Sequence, residues 1–241
     1  MKKATTLSLV VLLTISCSAQ WGKKVKGNGN VATMERSTEE YDAIAVSGWF
    51  NVDLVPGNEG DISLKGEENL LEYIVTEVKD GKLAIKVREG INLKPSTWKN
   101  GILITVPIED IDAISLSGSG DIVGRTTIVG NDLKTSLSGS GDITLDLETR
   151  STYASMSGSG DIILSGATTD LKVSVSGSGD IKAYDLEAEN VDASISGSAD
   201  IKVTANKSLK ARVSGSGDIH YRGNPEKVNT ITLGSGDITR A

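Results

Sequence analysis

The hexapeptide Ser-Gly-Ser-Gly-Asp-Ile stands at residues 117–122 and returns unchanged at 138, 157, 176 and 214, with Ser-Gly-Ser-Ala-Asp-Ile at 196 and Gly-Ser-Gly-Asp-Ile at 234. It gives the chain a serial set of polar groups: Asp121, Asp142, Asp161, Asp180, Asp200, Asp218 and Asp237, each with a serine two positions before it. A row of carboxylates can bind a divalent cation, perform acid or base catalysis, or accept hydrogen bonds from turn amides. If neighbouring copies stack at strand spacing, about 4.8 Å, unit charges repel by roughly 0.9 kcal/mol even in bulk water. Something must therefore neutralise the column.

Calcium is one candidate, because Gly-x-Gly followed by Asp is similar to the calcium-binding nonapeptide rolls. Those rolls place Asp one residue later, repeat twice as often and use both turns of each coil. Here one turn per coil carries the acid, whereas calcium takes a cage of about 6 to 8 oxygens. The preferred reading is therefore an outer ladder of amide-capped aspartates with no metal site and no cofactor, and a calcium-stabilised repeat is the alternative.

Catalysis has little support. The single histidine, His220, follows a motif copy, and the single cysteine, Cys17, lies near the start, so no nucleophile is paired with a base by spacing. The motif aspartates are 21, 19, 19, 20, 18 and 19 residues apart, which leaves almost no loop from which to build a cleft. No catalytic residue is assigned; a polysaccharide-cleaving β-helix is the rival reading. Sugar binding on aromatic platforms is thin as well, because Trp49, Phe50 and Trp98 are the only large aromatics of the folded part beyond scattered tyrosines. Trp49 and Phe50 read as core or end cap. Ice binding by the serine columns ranks lower still, since serine lacks a methyl group.

The elements that position the motif follow from its period. A repeat of 18 to 21 residues signals a solenoid. Around one copy the alternate residues are Leu133, Thr135, Leu137, Gly139, Gly141, Ile143, Leu145 and Leu147, so one parity stays apolar or small, which is the strand period. The same parity continues through Ala154, Met156, Gly158, Gly160, Ile162 and through Val173, Val175, Gly177, Gly179, Ile181. Each repeat reads as two alternating strands meeting at a Gly-x-Gly corner, where a side chain would collide with the core. One repeat cannot bury its apolar face alone, and stacking makes a continuous core. The expected fold is all-β, a parallel β-helix or β-solenoid with coils of 19–20 residues.

Upstream, strand-like runs cover 43–55, 62–65, 70–78, 83–87 and 102–106, and Asp80-Gly81 marks a hairpin. Residues 1–19 have the layout of a secretory signal: Lys2 and Lys3, an apolar run from Leu7 to Leu13, then small residues. Cys17 stands where a lipoprotein carries its lipid, although Thr14 replaces the usual leucine there. Cleavage after Ala19 is the alternative, and both readings stay open. Residues 20–35 read as a flexible tether and 36–241 as a single solenoid, irregular over 36–110 and regular over 111–241. The net charge of −7 becomes −9 once Lys2 and Lys3 leave with the signal. Such acidity excludes nucleic acid as a partner and leaves the membrane reachable only through a lipid anchor. In the last copy Leu233 replaces the first serine and, with Ile231, falls on the outward parity, which predicts self-association through the C-terminal coil.

The segments YDAIAVSGWFNVDLVPG and ENLLEYIVTEVKDGKLAIKV, the tripeptide Gly90-Ile91-Asn92 and the serial hexapeptides together resemble the putative auto-transporter adhesin, head GIN domain family of Bacteroidetes-type bacteria. The resemblance runs from about Tyr41 to the end. It implies export, a right-handed β-helix and no catalytic residue. The expectation for function is an exported, non-catalytic module of the cell envelope, periplasmic, outer-membrane-associated, surface-exposed or secreted, that binds a protein or glycan or serves structurally.

Overall fold

The computed structural model describes residues 22–97 and 101–241. The signal expected over 1–19 and the lipidation residue Cys17 lie outside the described residues. The chain is a β-solenoid of about seven turns. Its first part contains β1 (Lys23–Lys26), β2 (Val31–Ser37), β3 (Ala43–Gly48), β4 (Asn51–Pro56), β5 (Asp61–Glu67), one helical turn α1 (Glu68–Leu71), β6 (Ile74–Lys79), β7 (Lys82–Val87), β8 (Ile91–Lys94), β9 (Leu103–Ile108) and β10 (Ala113–Gly118). The regular coils follow as β11 (Ile122–Gly139), β12 (Ile143–Gly158), β13 (Ile162–Val175), β14 (Ile181–Gly197) and β15 (Ile201–Gly215), closed by β16 (Ile219–Arg222), β17 (Lys227–Gly234) and β18 (Ile238–Arg240).

Each regular coil is one long strand rather than two. It leaves a motif at isoleucine, bends midway and returns to the next motif, pairing in parallel with the coils on either side. The register slips soon after the motif isoleucine, between Val123 and Thr127 or between Ala183 and Glu187, and there the variation in coil length is absorbed. The motif corner shows no such variation, because its glycines meet each other directly.

The parity read from the sequence is the parity of the structure. Leu133, Leu137, Ile143, Leu145 and Leu147 are buried, as are Val173, Val175 and Ile181. The motif isoleucines Ile122, Ile143, Ile162, Ile181, Ile201 and Ile219 form one column with no exposed surface. At about 1.5–3 kcal/mol for each fully buried aliphatic side chain, these stacked columns are the main source of stability in a chain without a disulfide. Thr135 breaks its column: its hydroxyl is buried without a hydrogen-bond partner among the described residues.

Stacking reaches back beyond residue 111. β3 pairs with β10 in register from Ala43↔Ala113 to Gly48↔Gly118, and β7 continues the same wall. On the other wall Val52 of β4 lies beneath Ile122. The run expected as one strand over 43–55 therefore contains a corner, Ser47-Gly48-Trp49-Phe50-Asn51-Val52, a diverged first copy of the motif. The hairpin at Asp80-Gly81 is present, with φ of 51° and 72°, values that an aspartate and a glycine tolerate. The strand expected from Leu70 begins only at Ile74, because Glu68–Leu71 turns once as helix to bury Leu70 and Leu71.

The tether expected over 20–35 is corrected. β1 pairs with β8, and β2 pairs antiparallel with β5 from Val31↔Glu67 to Ser37↔Asp61. One buried and one partly buried polar group hold this region. The carboxylate of Glu67, whose residue is 0 % exposed, accepts the amides of Gly29 at 2.5 Å and Ser96 at 2.7 Å. Arg36 donates to the carbonyls of Leu71 and Ile74. Polarity in this stretch thus signals anchoring, not solvation.

Gly139 shows why the corner needs glycine. Its φ is 145°, a region that L side chains rarely adopt, and a Cβ there would overlap the carbonyl of Gly118 one coil earlier. The obstruction is backbone of the preceding coil, which corrects the expected collision with the core. Gly130, by contrast, has open space around it. Gly139→Ala is expected to lower stability by at least about 2 kcal/mol, and Gly130→Ala to change it by less than about 1 kcal/mol, measured by urea unfolding. Equal effects would refute this account of the corner.

Candidate functional site

The seven motif aspartates form one column along the solenoid edge, and the bonds between them run from coil to coil. The Asp142 amide donates to Oδ1 of Asp121 at 3.1 Å, Asp161 to Asp142 at 2.8 Å, and Asp180 to Asp161 at 3.1 Å. Asp200, Asp218 and Asp237 continue the series at 3.0, 3.0 and 2.8 Å. Each aspartate carbonyl in turn accepts an amide from the preceding coil, Asp121 from Val52 and the later ones from the motif isoleucine, as Asp142 does from Ile122 at 2.8 Å. One side chain therefore satisfies a corner amide that the parallel ladder leaves unpaired. The partner is the next coil's backbone rather than the aspartate's own turn.

The column begins with a neutral residue. Asn51 offers Oδ1 to the Asp121 amide at 3.2 Å, taking the acceptor role that aspartate has from Asp121 to Asp218. Around it the first corner departs from the motif, with Trp49 in the serine column and Phe50 in the second glycine column. Phe50 is buried and its ring lies against Gly48. Sequence reading passed over this copy, although Ser-Gly, Asn for Asp and Val for Ile were there to align.

The corner glycines occupy two columns. Gly139, Gly158 and Gly177 form the first, and Gly141, Gly160 and Gly179 the second; a Cβ on any of them would overlap the carbonyl of the glycine one coil earlier. The second column admits one methyl group, since Ala199 stands there fully buried.

Electrostatics is most developed at Asp161. Lys182, one coil later, places Nζ 2.5 Å from Oδ2, with both side chains partly exposed. Burial pushes the Asp161 carboxyl up, but the Lys182 hydrogen bond, the Asp180 amide and the nearby charges of Lys182 and Lys202 hold it below its ordinary value. The same hydrogen bond, opposed by burial and helped by the charges of Asp161, Asp180 and Asp142, raises Lys182. Elsewhere Lys207 pairs with Glu189, Lys210 with Asp192 and Arg125 with Asp53 on the surface. His220 meets Thr239 across coils at 2.8 Å, and no catalytic partner lies on it among the hydrogen bonds of the described residues. No three histidine, cysteine or acidic side chains among the described residues converge to hold a metal ion.

On the wall before the corner, exposed serines line up in columns, Ser117 beside Ser138, and Ser138 beside Ser157. At the far end of that wall Ile231 and Leu233 point outward and are 37 % and 60 % exposed.

Asp161→Asn keeps an acceptor for the Asp180 amide and is expected to cost little at neutral pH, whereas Asp161→Leu leaves that amide unpaired and is expected to cost about 1–3 kcal/mol. The lowered Asp161 pKa contributes stability that is complete above the unfolded value, about 3.9, and is lost as pH falls through the folded value. The raised Lys182 pKa contributes stability that is complete below about 10.4 and is lost as pH rises through its folded value. Thermal melts across pH should therefore show a shallower acid limb for Asp161→Asn than for the parent. An unchanged acid limb would mean that the pair adds nothing.

Residues 40–225 match the family described as "Putative auto-transporter adhesin, head GIN domain". Among curated proteins none matches the chain. Several solved structures share the fold, among them the following three. A "putative adhesin" from Bacteroides fragilis is 24 % identical, with a TM-score of 0.83 over 90 % of this chain and 100 % of that one. A "putative lipid binding protein" from Parabacteroides distasonis is 27 % identical, with a TM-score of 0.74 over 91 % and 100 %. A "putative adhesin" from Parabacteroides merdae is 21 % identical, with a TM-score of 0.73 over 91 % and 99 %. With the family match spanning more than half of its length, the chain belongs to the putative auto-transporter adhesin, head GIN domain family.

Proposed function

We propose that the protein is an exported, non-catalytic binding module of the bacterial cell surface, engaging its ligand through the flat outer walls of the solenoid. One observation carries this reading: six of the seven motif carboxylates accept the backbone amide of the next coil, so the acidic column is committed to structure. The family's adhesin description supports it, and the near-constant coil length leaves the outer faces as the available surface.

The test is retention of the purified protein on polysaccharides, matrix glycoproteins and lipid vesicles, with release of reducing sugar ends followed in parallel. Retention without cleavage is expected. Cleavage that disappears in the Asp161→Asn, Asp180→Asn double variant while folding is intact would establish the enzyme reading instead. A chelator is expected to leave Tm unchanged, because the ladder is bridged by amides; a fall of several degrees would favour a calcium-stabilised repeat.

A second reading concerns the C-terminal coil, where Val228, Ile231 and Leu233 are exposed on β17. A second copy covering this surface would remove it from water. Sedimentation should then show a dimer that Leu233→Asp converts to monomer. A parent protein that stays monomeric at high concentration refutes it. The Parabacteroides distasonis neighbour is described as a "putative lipid binding protein", which makes lipid a competing ligand class that the vesicle measurement decides.

A further inference from the structure

We propose that a groove at the N-terminal end of the serine wall, with Trp49 as its platform, binds the pyranose rings of a neutral polysaccharide. The inference rests on the binding-module reading and names the ligand class and the place. The groove has a volume of about 770 Å³ and runs between Trp49 and the end of β7, where Lys86, Val87 and Glu89 form one side and Ser119 and Ser140 the other. That size falls within the roughly 300–1,000 Å³ of small-molecule sites.

The groove exists because the repeat breaks there. Above Trp49 every corner is stacked on another of the same shape. Below it, β7 does not turn a Gly-Ser-Gly corner, and the chain leaves through a turn in which the Ile91 amide donates to the Arg88 carbonyl at 3.2 Å. The step between a regular corner and an irregular exit is the concavity. In it stands the indole, in the column that later coils fill with Ser119, Ser140 and Ser159.

The lining chemistry selects the ligand. Trp49 is half-buried and packs its ring 6.4 Å from that of Phe50 at an angle of 57°, so the platform is held by the core beneath it. A rigid indole offers an apolar face to ring C–H groups at low cost in conformational entropy. Around it are hydroxyls, one cation and one carboxylate; the cation, Lys86, is itself paired with Glu77 at 2.9 Å. With Glu77 included, these groups carry a single net negative charge, which disfavours an anionic ligand. A neutral polyol with one apolar face fits both features.

The surroundings favour a polymer over a single sugar. From the groove the exposed columns that hold Ser117, Ser138 and Ser157 lead away along the solenoid axis, with a hydroxyl at each coil, about 4.8 Å apart. Each further ring of a chain lying on this wall reaches new hydroxyls. Affinity should therefore rise with chain length.

The experiment uses the full chain carrying Trp21→Phe and Trp98→Phe, so that Trp49 is the sole tryptophan, excited on the red edge of its absorption where tyrosine does not absorb. It is titrated with neutral oligosaccharides of two to six units from glucans, mannans, xylans and galactans. The expected result is a saturable change in Trp49 emission with one of these series and at least tenfold tighter binding at six units than at two. Trp49→Leu keeps an apolar cover over Phe50 but removes the platform, and is expected to retain Tm while weakening binding at least tenfold. If no series perturbs Trp49 emission, the groove assignment is wrong, and this readout needs no variant at Trp49 to fold. Retention on a polysaccharide that Trp49→Leu leaves undiminished also overturns the groove but preserves the binding-module reading. Failure to be retained by any glycan, protein or vesicle overturns both.

Discussion

The parallel stacking distance governs this molecule. Successive coils lie about 4.8 Å apart, and at the motif corner the chain turns so that a Cβ would aim along the stacking axis, straight at the carbonyl of the coil before. Side chains at these positions are opposed by backbone, which cannot move without losing the hydrogen bonds on both sides, and within the regular copies Ala199 is the largest residue found there. The glycine columns follow from that constraint. So does the aspartate column: a chain turning this tightly takes one amide per coil out of the regular ladder, and a short acceptor from the coil below reaches it. A longer acid would overshoot, and an apolar residue would leave the amide unpaired at a cost of about 1–3 kcal/mol.

The same constraint explains the exceptions. In the first corner, the position that later coils give to the second glycine is Phe50, because β7 makes no matching corner beneath it, so the ring fills the space against Gly48. Asn51 heads the column as a neutral acceptor, which shows that the ladder needs the oxygen rather than the charge. The charges that follow repel one another. They are tolerated because each carboxylate up to Asp218 receives an amide hydrogen, and because Lys182 enters the column at its middle.

The solenoid was legible in the sequence because period two persists through the motif while the motif recurs every coil, and only stacked strands meet both conditions. The direction of the aspartate bonds was not legible, since an acceptor in its own turn and one in the adjacent coil give the same spacing along the chain. The N-terminal part was hidden for another reason. Residues 22–37 are polar and glycine-bearing like a linker, yet Glu67 and Arg36 hold them and their neighbours through backbone amides and carbonyls, which leave no hydrophobic pattern to read. Trp49 and Phe50 looked like one aromatic pair. Their neighbours in the stack separate them, burying Phe50 and leaving Trp49 half-exposed beside the groove.

A repeat of this kind restricts where specificity can arise. Inward positions are fixed by the columns above and below, and corner positions by backbone contact, so a change in one coil must be matched by its neighbours. Outward columns are free, but when every coil carries serine they present the same hydroxyl many times and distinguish one register of a ligand from the next only weakly. A feature that locates a ligand has to sit where the period is interrupted. Among the described residues the first corner is such a place: the serine column gives way there to tryptophan, and the coil below turns aside to open a groove. Regularity supplies the extended surface, and the break supplies its fixed point.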